Sequence, residues 1–296
     1  MGLFNGYLKE GKGVDKDAPK PIRPIFFFEL FFRKFTKMIQ LNLLFMCTTF
    51  PFWIIMYLLG NFIIANVSKD TEAFSNALTV FAQITANPLS LIALLLLCFL
   101  LGPSTAGATN VLMSFANELP VFLCSDYFEN FKKNFKQASI LMMFNVIAGL
   151  STFITWFIPI VPGYAQNPAI VQLSNFRIPS LVVFLIIIVA NFYAYSIMIK
   201  FDMKLMDIIK NSFLFTFARL PINILILVLV GAICYFAFAN YLIGFLLLVL
   251  ILYAFCGFLV VFSVYPTIEK YMLIPAQEIK KNSTTETEGE TDEIKE

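Results

Sequence analysis

Leu94 to Glu118 read LLLLCFLLGPSTAGATNVLMSFANE, an apolar run that breaks at Gly102-Pro103 into small and hydroxylated residues. If the apolar helix ended at Leu101, the run from Leu89 would hold 13 residues, about 20 Å of helix. That is short of the roughly 30 Å of a bilayer's hydrocarbon core. The span therefore continues to about Ala116 and carries a kink near mid-membrane. Pro103 has no amide hydrogen for the carbonyl of Phe99, and its ring crowds that carbonyl. Ser104 and Thr105 stand where hydroxyls can re-satisfy the freed backbone. Gly102 with Ala106, and Pro103 with Gly107, form four-residue pairs of small side chains that permit another helix to approach closely. Two readings follow: a kinked, tightly packed helix, or a broken helix whose freed amides face a cavity.

The rest of the chain places this stretch in a membrane. Of 296 residues, 59% are hydrophobic and only 14% charged, with a mean hydropathy of +0.80, too apolar for the surface of a soluble globule this long. Phe outnumbers Trp by 35 to 2, so most rings are expected against lipid or other helices and not in a Trp belt. There is no His, which removes the commonest metal ligand and any histidine-dependent catalyst. The five cysteines show no C-x-x-C spacing, and most lie in apolar runs as small buried side chains.

Six segments have the roughly 20 apolar residues a span needs: 39–64, 89–116, 138–161, 178–199, 220–239 and 241–264. The last two are separated by a turn at FANYLIG, around Asn240. Lys and Arg fall almost wholly on one side. Residues up to Lys37, the loop after span 2, the loop after span 4 and the C-terminal tail hold all of the 21 basic residues except Lys69 and Arg177. The excess puts both termini in the cytoplasm. The expected fold class is thus all-α, a polytopic membrane protein of six transmembrane helices. It divides into a polar segment 1–24 without the apolar core of a signal peptide, a membrane domain 25–272, and a polar acidic tail 273–296 expected to be disordered.

Each outward-going span is preceded by an amphipathic stretch on the basic side. In FFFELFFRKFTKMIQLN, Glu29, Arg33 and Lys37 form an i, i+4, i+8 ladder opposite Phe28, Phe31, Phe32 and Phe35. In SDYFENFKKNFKQA, Asp126 is the expected N-cap, Glu129 faces Lys133, and Phe128, Phe131 and Phe135 share a face. KFDMKLMDIIKNSF repeats the design before span 5. Three cytoplasmic interfacial helices result, each followed by a two-span hairpin, a weak threefold repeat. Simple anchoring explains the Phe and Lys content. Asp126 and Glu129 place negative charge beside an anionic leaflet, and this marks Asp126, Phe128, Glu129, Phe131, Lys133 and Phe135 as a candidate partner-docking element.

GPSTAG in span 2, ELPVFLCSDYFENFKKNFKQA in the next loop and IKFDMKLMDIIKNSFLFTFARLP before span 5 resemble the YesL-type membrane proteins of Gram-positive bacteria, a family classed as domain of unknown function 624. The similarity covers roughly Phe26 to Tyr271; Cys124 and the two polar ends depart from the pattern. The resemblance implies a multi-span protein without established activity, commonly encoded beside carbohydrate importers of the ATP-binding-cassette type, and supplies no catalytic residues.

No acid, base or metal-ligand set lies inside an apolar span, so neither catalysis, a cofactor nor a metal is expected, nor is an internal ion relay. The polar residues that remain within spans are uncharged. Asn42, Asn110, Asn145, Asn191 and Asn223, with several threonines, either hydrogen-bond helix to helix or line a path for a neutral solute. There is no P-loop, so any ATPase is a separate subunit. The expected role is a non-catalytic accessory or permease-like component of a carbohydrate uptake system. The alternatives are a stand-alone facilitator for a small neutral solute and a membrane sensing or assembly factor. Membrane lipid and ATP-binding-cassette subunits or another membrane protein are the expected partners, and no nucleic acid.

Overall fold

The computed structural model describes residues 22–53, 99–157, 159 and 168–275. Residues 1–21, nearly all of the acidic tail, and parts of the expected spans 1 and 2 with the loop joining them lie outside the described residues. In chain order the helices are α1 (Arg23–Arg33), α2 (Phe35–Thr48), α3 (Leu101–Ala116), α4 (Leu123–Lys133), α5 (Phe135–Phe157), α6 (Pro168–Leu173), α7 (Arg177–Lys200), α8 (Leu205–Ala218), α9 (Leu220–Ala237), α10 (Tyr241–Leu247) and α11 (Tyr253–Ile268). A 3-10 turn joins α6 to α7, a π-helical turn at Leu248–Leu252 joins α10 to α11, and a second π-helical turn, Glu269–Leu273, follows α11. No strand occurs among the described residues.

Four stretches among the described residues are long and apolar enough to cross a bilayer: Phe135–Trp156, Val171–Lys200, Leu220–Ala237 and Leu242–Leu273. The chain is therefore a multi-pass membrane protein. Between the last two, Asn240 makes the turn expected of it, its side-chain oxygen accepting from the amides of Leu242 and Ile243 as the N-cap of α10.

The three amphipathic stretches form α1, α4 and α8. Each passes into the next helix through one residue that leaves helical conformation: Lys34 (φ −105°, ψ 10°), Asn134 (φ −99°, ψ 10°) and Arg219 (φ −120°, ψ 30°). Lys34, Asn134 and Arg219 keep their own i to i−4 bonds, donating to Leu30, Asn130 and Phe215 and accepting from Met38, Ala138 and Asn223. One helix nonetheless ends and the next begins at each of them, and Pro221 has no amide hydrogen to continue the ladder.

The three return helices, α3, α7 and α11, touch one another in the centre. Helix α2 packs on α3 and α11, α5 on α3 and α7, and α9 on α11. Each amphipathic helix folds back along a return helix: α4 along α3, α8 along α7, and α1 onto α11, where Phe27 packs on Phe255, Phe258 and Phe262. Length makes room for this. At 1.5 Å per residue, the 30-residue stretch Val171–Lys200 and the 32-residue stretch Leu242–Leu273 extend about 45–48 Å, well beyond a ~30 Å hydrocarbon core. Helix α8 docks along the first of these stretches and α1 on the second. Leu30, Tyr127 and Ile208 are fully buried, while Phe28, Phe32 and Phe128 remain exposed. The apolar sides of these helices thus meet protein as well as the outside. In α1 the anticipated Glu29–Arg33–Lys37 ladder gives way to an ion pair between Arg33 and Glu118, at the end of α3.

Candidate functional site

Gly102 and Gly107 set how closely the helices around the site approach. A Cβ on Gly102 would run into the backbone carbonyl of Ala138 in α5, and one on Gly107 would lie 2.7 Å from the carbonyl oxygen of Tyr127 in α4. Pro103 and Ala106 are buried beside them. The carbonyl of Phe99, which Pro103 cannot serve, accepts a hydrogen bond from the Ser139 hydroxyl of α5 at 3.1 Å. Ser104 and Thr105, the residues expected to do this, donate instead to Leu100 and Leu101. Gly102 thus faces Ala138, one turn beyond the hinge at Asn134. The helix preceding Phe99 lies outside the described residues, and with it the angle of the expected kink.

The five asparagines divide into two groups. Asn42, fully buried in α2, donates to the carbonyls of Leu248 and Val249 at 2.8 and 2.7 Å and accepts from the amide of Ala254 at 3.0 Å. A π-helical turn shifts the backbone bonding pattern by one residue. Asn42 pairs groups along this one, from a helix more than 200 residues away in sequence. Asn223, also fully buried, donates to Phe215 and Thr216 across the Arg219 hinge and accepts from the Tyr193 hydroxyl at 2.7 Å. Asn110 donates to Asp126 at 3.3 Å, tying α3 to α4. These three hold helices together.

Asn145 and Asn191 do something different. The Asn191 amide donates to the Asn145 side-chain oxygen at 2.5 Å and to its own helix at Ile187, and Asn145 donates to Leu141. Both border an open pocket of about 480 Å³ between α3, α5, α7 and α11. Leu112, Met142, Val146, Phe184, Ile188 and Val260 supply much of its wall, and among the described residues none that lines it is charged. Thr109 and Ser196 also border it, their hydroxyls turned back to Thr105 and Phe192 of their own helices. Tyr253 contributes from α11, its ring stacked on Phe45 at 3.6 Å between centroids and its hydroxyl facing Thr105. Tyr195 contributes from α7. It is only 5% exposed, and among the described residues its hydroxyl alone is a buried side-chain polar group without a hydrogen-bond partner. Neither tyrosine stood out in the sequence reading, although a Tyr within an apolar run is itself a signal, since its hydroxyl needs a partner.

In α4, Asp126 is not the N-cap. The helix begins at Leu123, and the Asp126 carboxylate reaches back to accept from the amide of Phe122 at 3.0 Å. Glu129 and Lys133 are exposed, Phe128 is partly so, and Phe131 and Phe135 are half-buried against each other. Tyr127 is the residue of this helix that enters the core. Its hydroxyl meets Thr48 at 2.7 Å, and burial pushes its pKa above the ordinary tyrosine value, with that hydrogen bond pulling the other way. Among the described residues no three Cys, Asp or Glu side chains gather at metal-binding distance. No family model, curated protein or solved structure matches the chain.

Proposed function

We propose that this chain is a non-catalytic, permease-like membrane protein of six spans with both ends in the cytoplasm, and that it takes up a small uncharged solute in the cavity among α3, α5, α7 and α11. The observation that carries the reading is the lining of that cavity, polar at several points and charged at none. A charged solute would be stripped of water there with nothing to compensate it, whereas a neutral one would find hydroxyls and amides for its few polar groups. Basic residues at or beside the hinges, Lys34, Lys133 and Arg219, support a cytoplasmic side for the amphipathic helices. Association with an ATP-binding-cassette carbohydrate importer is the setting that the sequence resemblance implies.

Proteoliposomes holding the purified chain should pass uncharged solutes, independently of proton or sodium gradients, and exclude charged ones of the same size. Flux of charged solutes, or none of any kind, would defeat the reading. Single-cysteine labelling near Lys69 and Gln172 from outside, and near Lys132 only after permeabilisation, tests the topology; the reverse pattern would invert it. An ATPase subunit that copurifies from native membrane, and is lost from Glu129→Gln while the protein stays folded and inserted, would assign the docking role to α4. Unchanged association would leave α4 a structural element.

A further inference from the structure

Two tyrosines at the basic end of α11 and the turn that follows it differ in the charge around them. Lys200 Nζ lies 5.9 Å from the centre of the Tyr265 ring, and the Glu269 carboxylate is near enough to act on the same phenol. One cation and one anion meet there. At Tyr271 two cations meet: the Arg219 guanidinium carbon is 5.5 Å from the ring centre and Lys270 Nζ 5.4 Å. Arg219 also donates to the Tyr271 hydroxyl at 3.5 Å. The ring is 49% exposed and rests on Phe215 of α8, 6.3 Å away between centres. Among the described residues the single ion pair is Arg33–Glu118, so neither Arg219 nor Lys270 has a carboxylate within 4.0 Å. Depth adds to the charge. Helix α9 has 18 residues, about 27 Å of helix, close to the ~30 Å hydrocarbon core, and Arg219 immediately precedes it. Arg219 is therefore at headgroup level. From it, Leu220, Ile224 and Val228 run one turn apart along α9 as an exposed apolar stripe.

We infer that Arg219, Lys270 and Tyr271 form a binding site for one anionic glycerophospholipid, its phosphate held between the two cations and its acyl chains laid along the stripe of α9. Arg219 supplies forked hydrogen bonds to phosphate oxygens, Lys270 a point charge, and the Tyr271 hydroxyl a further donor. The negative phosphate meets two cations that no carboxylate neutralises, and the chains meet a face that the protein leaves uncovered. A lipid seated there ties the start of α9 to the turn that ends α11. That tie matters for α9, of whose apolar window only 11% is buried within the protein.

The test takes the full chain from nanodiscs of phosphatidylcholine and phosphatidylglycerol in equal parts into mild detergent and reads the retained lipid by native mass spectrometry. Phosphatidylglycerol should be retained over phosphatidylcholine by about twentyfold, as two cations at the surface imply. Glycerol phosphate, which carries the charge without the chains, should not displace it. Lys270→Gln alters an exposed side chain and should lower the preference about fivefold, and Arg219→Gln with Lys270→Gln should abolish it. Lys132→Gln with Lys136→Gln removes the same charge from exposed lysines on either side of the Asn134 bend and should leave the preference unchanged. An equal fall in both double variants would mean a general attraction of the basic end for anionic lipid and overturns the site. Preference that survives Lys270→Gln, or displacement by glycerol phosphate, overturns it too. Carbodiimide coupling of Lys270 to the acids from Glu286 to Glu293 in the same membranes would give the cations to the chain's own acidic tail, and that also overturns the inference.

Discussion

The two ends of this bundle are built on different terms. At the end bearing the basic hinges, amphipathic helices lie against the return helices, and both buried apolar clusters centre there, one around Phe27, Leu30, Leu112, Tyr127 and Phe258, the other around Tyr193, Ile197, Ile208 and Phe215. The spans themselves differ in how much of one another they carry. Of the apolar window of α9 only 11% is buried within the protein, against 44% for Val171–Lys200. The contrast follows from where the chain finds partners. Lipid is as good an apolar neighbour as another helix, so spans inside the hydrocarbon gain little from mutual burial. Beyond the headgroups water restores the hydrophobic drive, and the overhanging helix ends must be covered.

Substitutions of like kind should differ widely in cost between sites that hold helices together and sites that do not. The largest effect is expected at Asn42. Asn42→Leu strands the carbonyls of Leu248 and Val249 and disturbs the amide of Ala254, and should destabilise by about 3 kcal/mol in a denaturant titration in detergent. Asn145→Leu, at the cavity, leaves Asn191 its bond to Ile187 and should cost less than about 1 kcal/mol. Equal costs would erase the distinction between binding helices together and lining a space.

Glycines give the next comparison. Gly107→Leu must force α3 from α4 and should cost about 1–3 kcal/mol in the same titration. A Cβ on Gly231 in α9 meets nothing within 4 Å, so Gly231→Leu should fall within about 0.5 kcal/mol of zero. A substantial loss at Gly231 would mean that α9 has a tight protein neighbour.

Smaller again is the pH effect at Tyr127. Its pKa is raised by folding, so its contribution is complete below the unfolded value of about 10 and is lost as pH rises above it. Thermal midpoints measured from pH 9 to 11 should fall less steeply in Tyr127→Phe than in the parent. The smallest effect belongs to the exposed Arg33–Glu118 pair. Glu118→Gln should cost no more than about 1 kcal/mol, and the difference should shrink in high salt.

How much of this was legible depends on whether the cause is local. Apolar length gave the spans, and Asn240 announced its turn because an Asn between two apolar runs caps its own helix. The amphipathic helices were visible from their periodicity, but not their seats, since Phe27 meets α11 across more than 200 residues. Of the three bends, only that at Arg219 carries a local mark, Pro221 two residues on. Lys34 and Asn134 have no proline following them, and composition gives no sign of their bends. LVLIL at 248–252 reads as any apolar helix, and its π turn shows only beside Asn42. Tyr195 was overlooked because its interest lies in a bond it does not make.

The placement of α1 has a consequence for the chain's order. The first described helix docks on α11 as α4 does on α3 and α8 on α7, so the sequence of amphipathic helix, outward span and return span closes on itself with its beginning beside its end. In such a circuit no link is privileged. A circularly permuted gene that opens at Leu119, between α3 and α4, and joins the former ends by a flexible linker would preserve every docking described here, moving only the point at which translation starts.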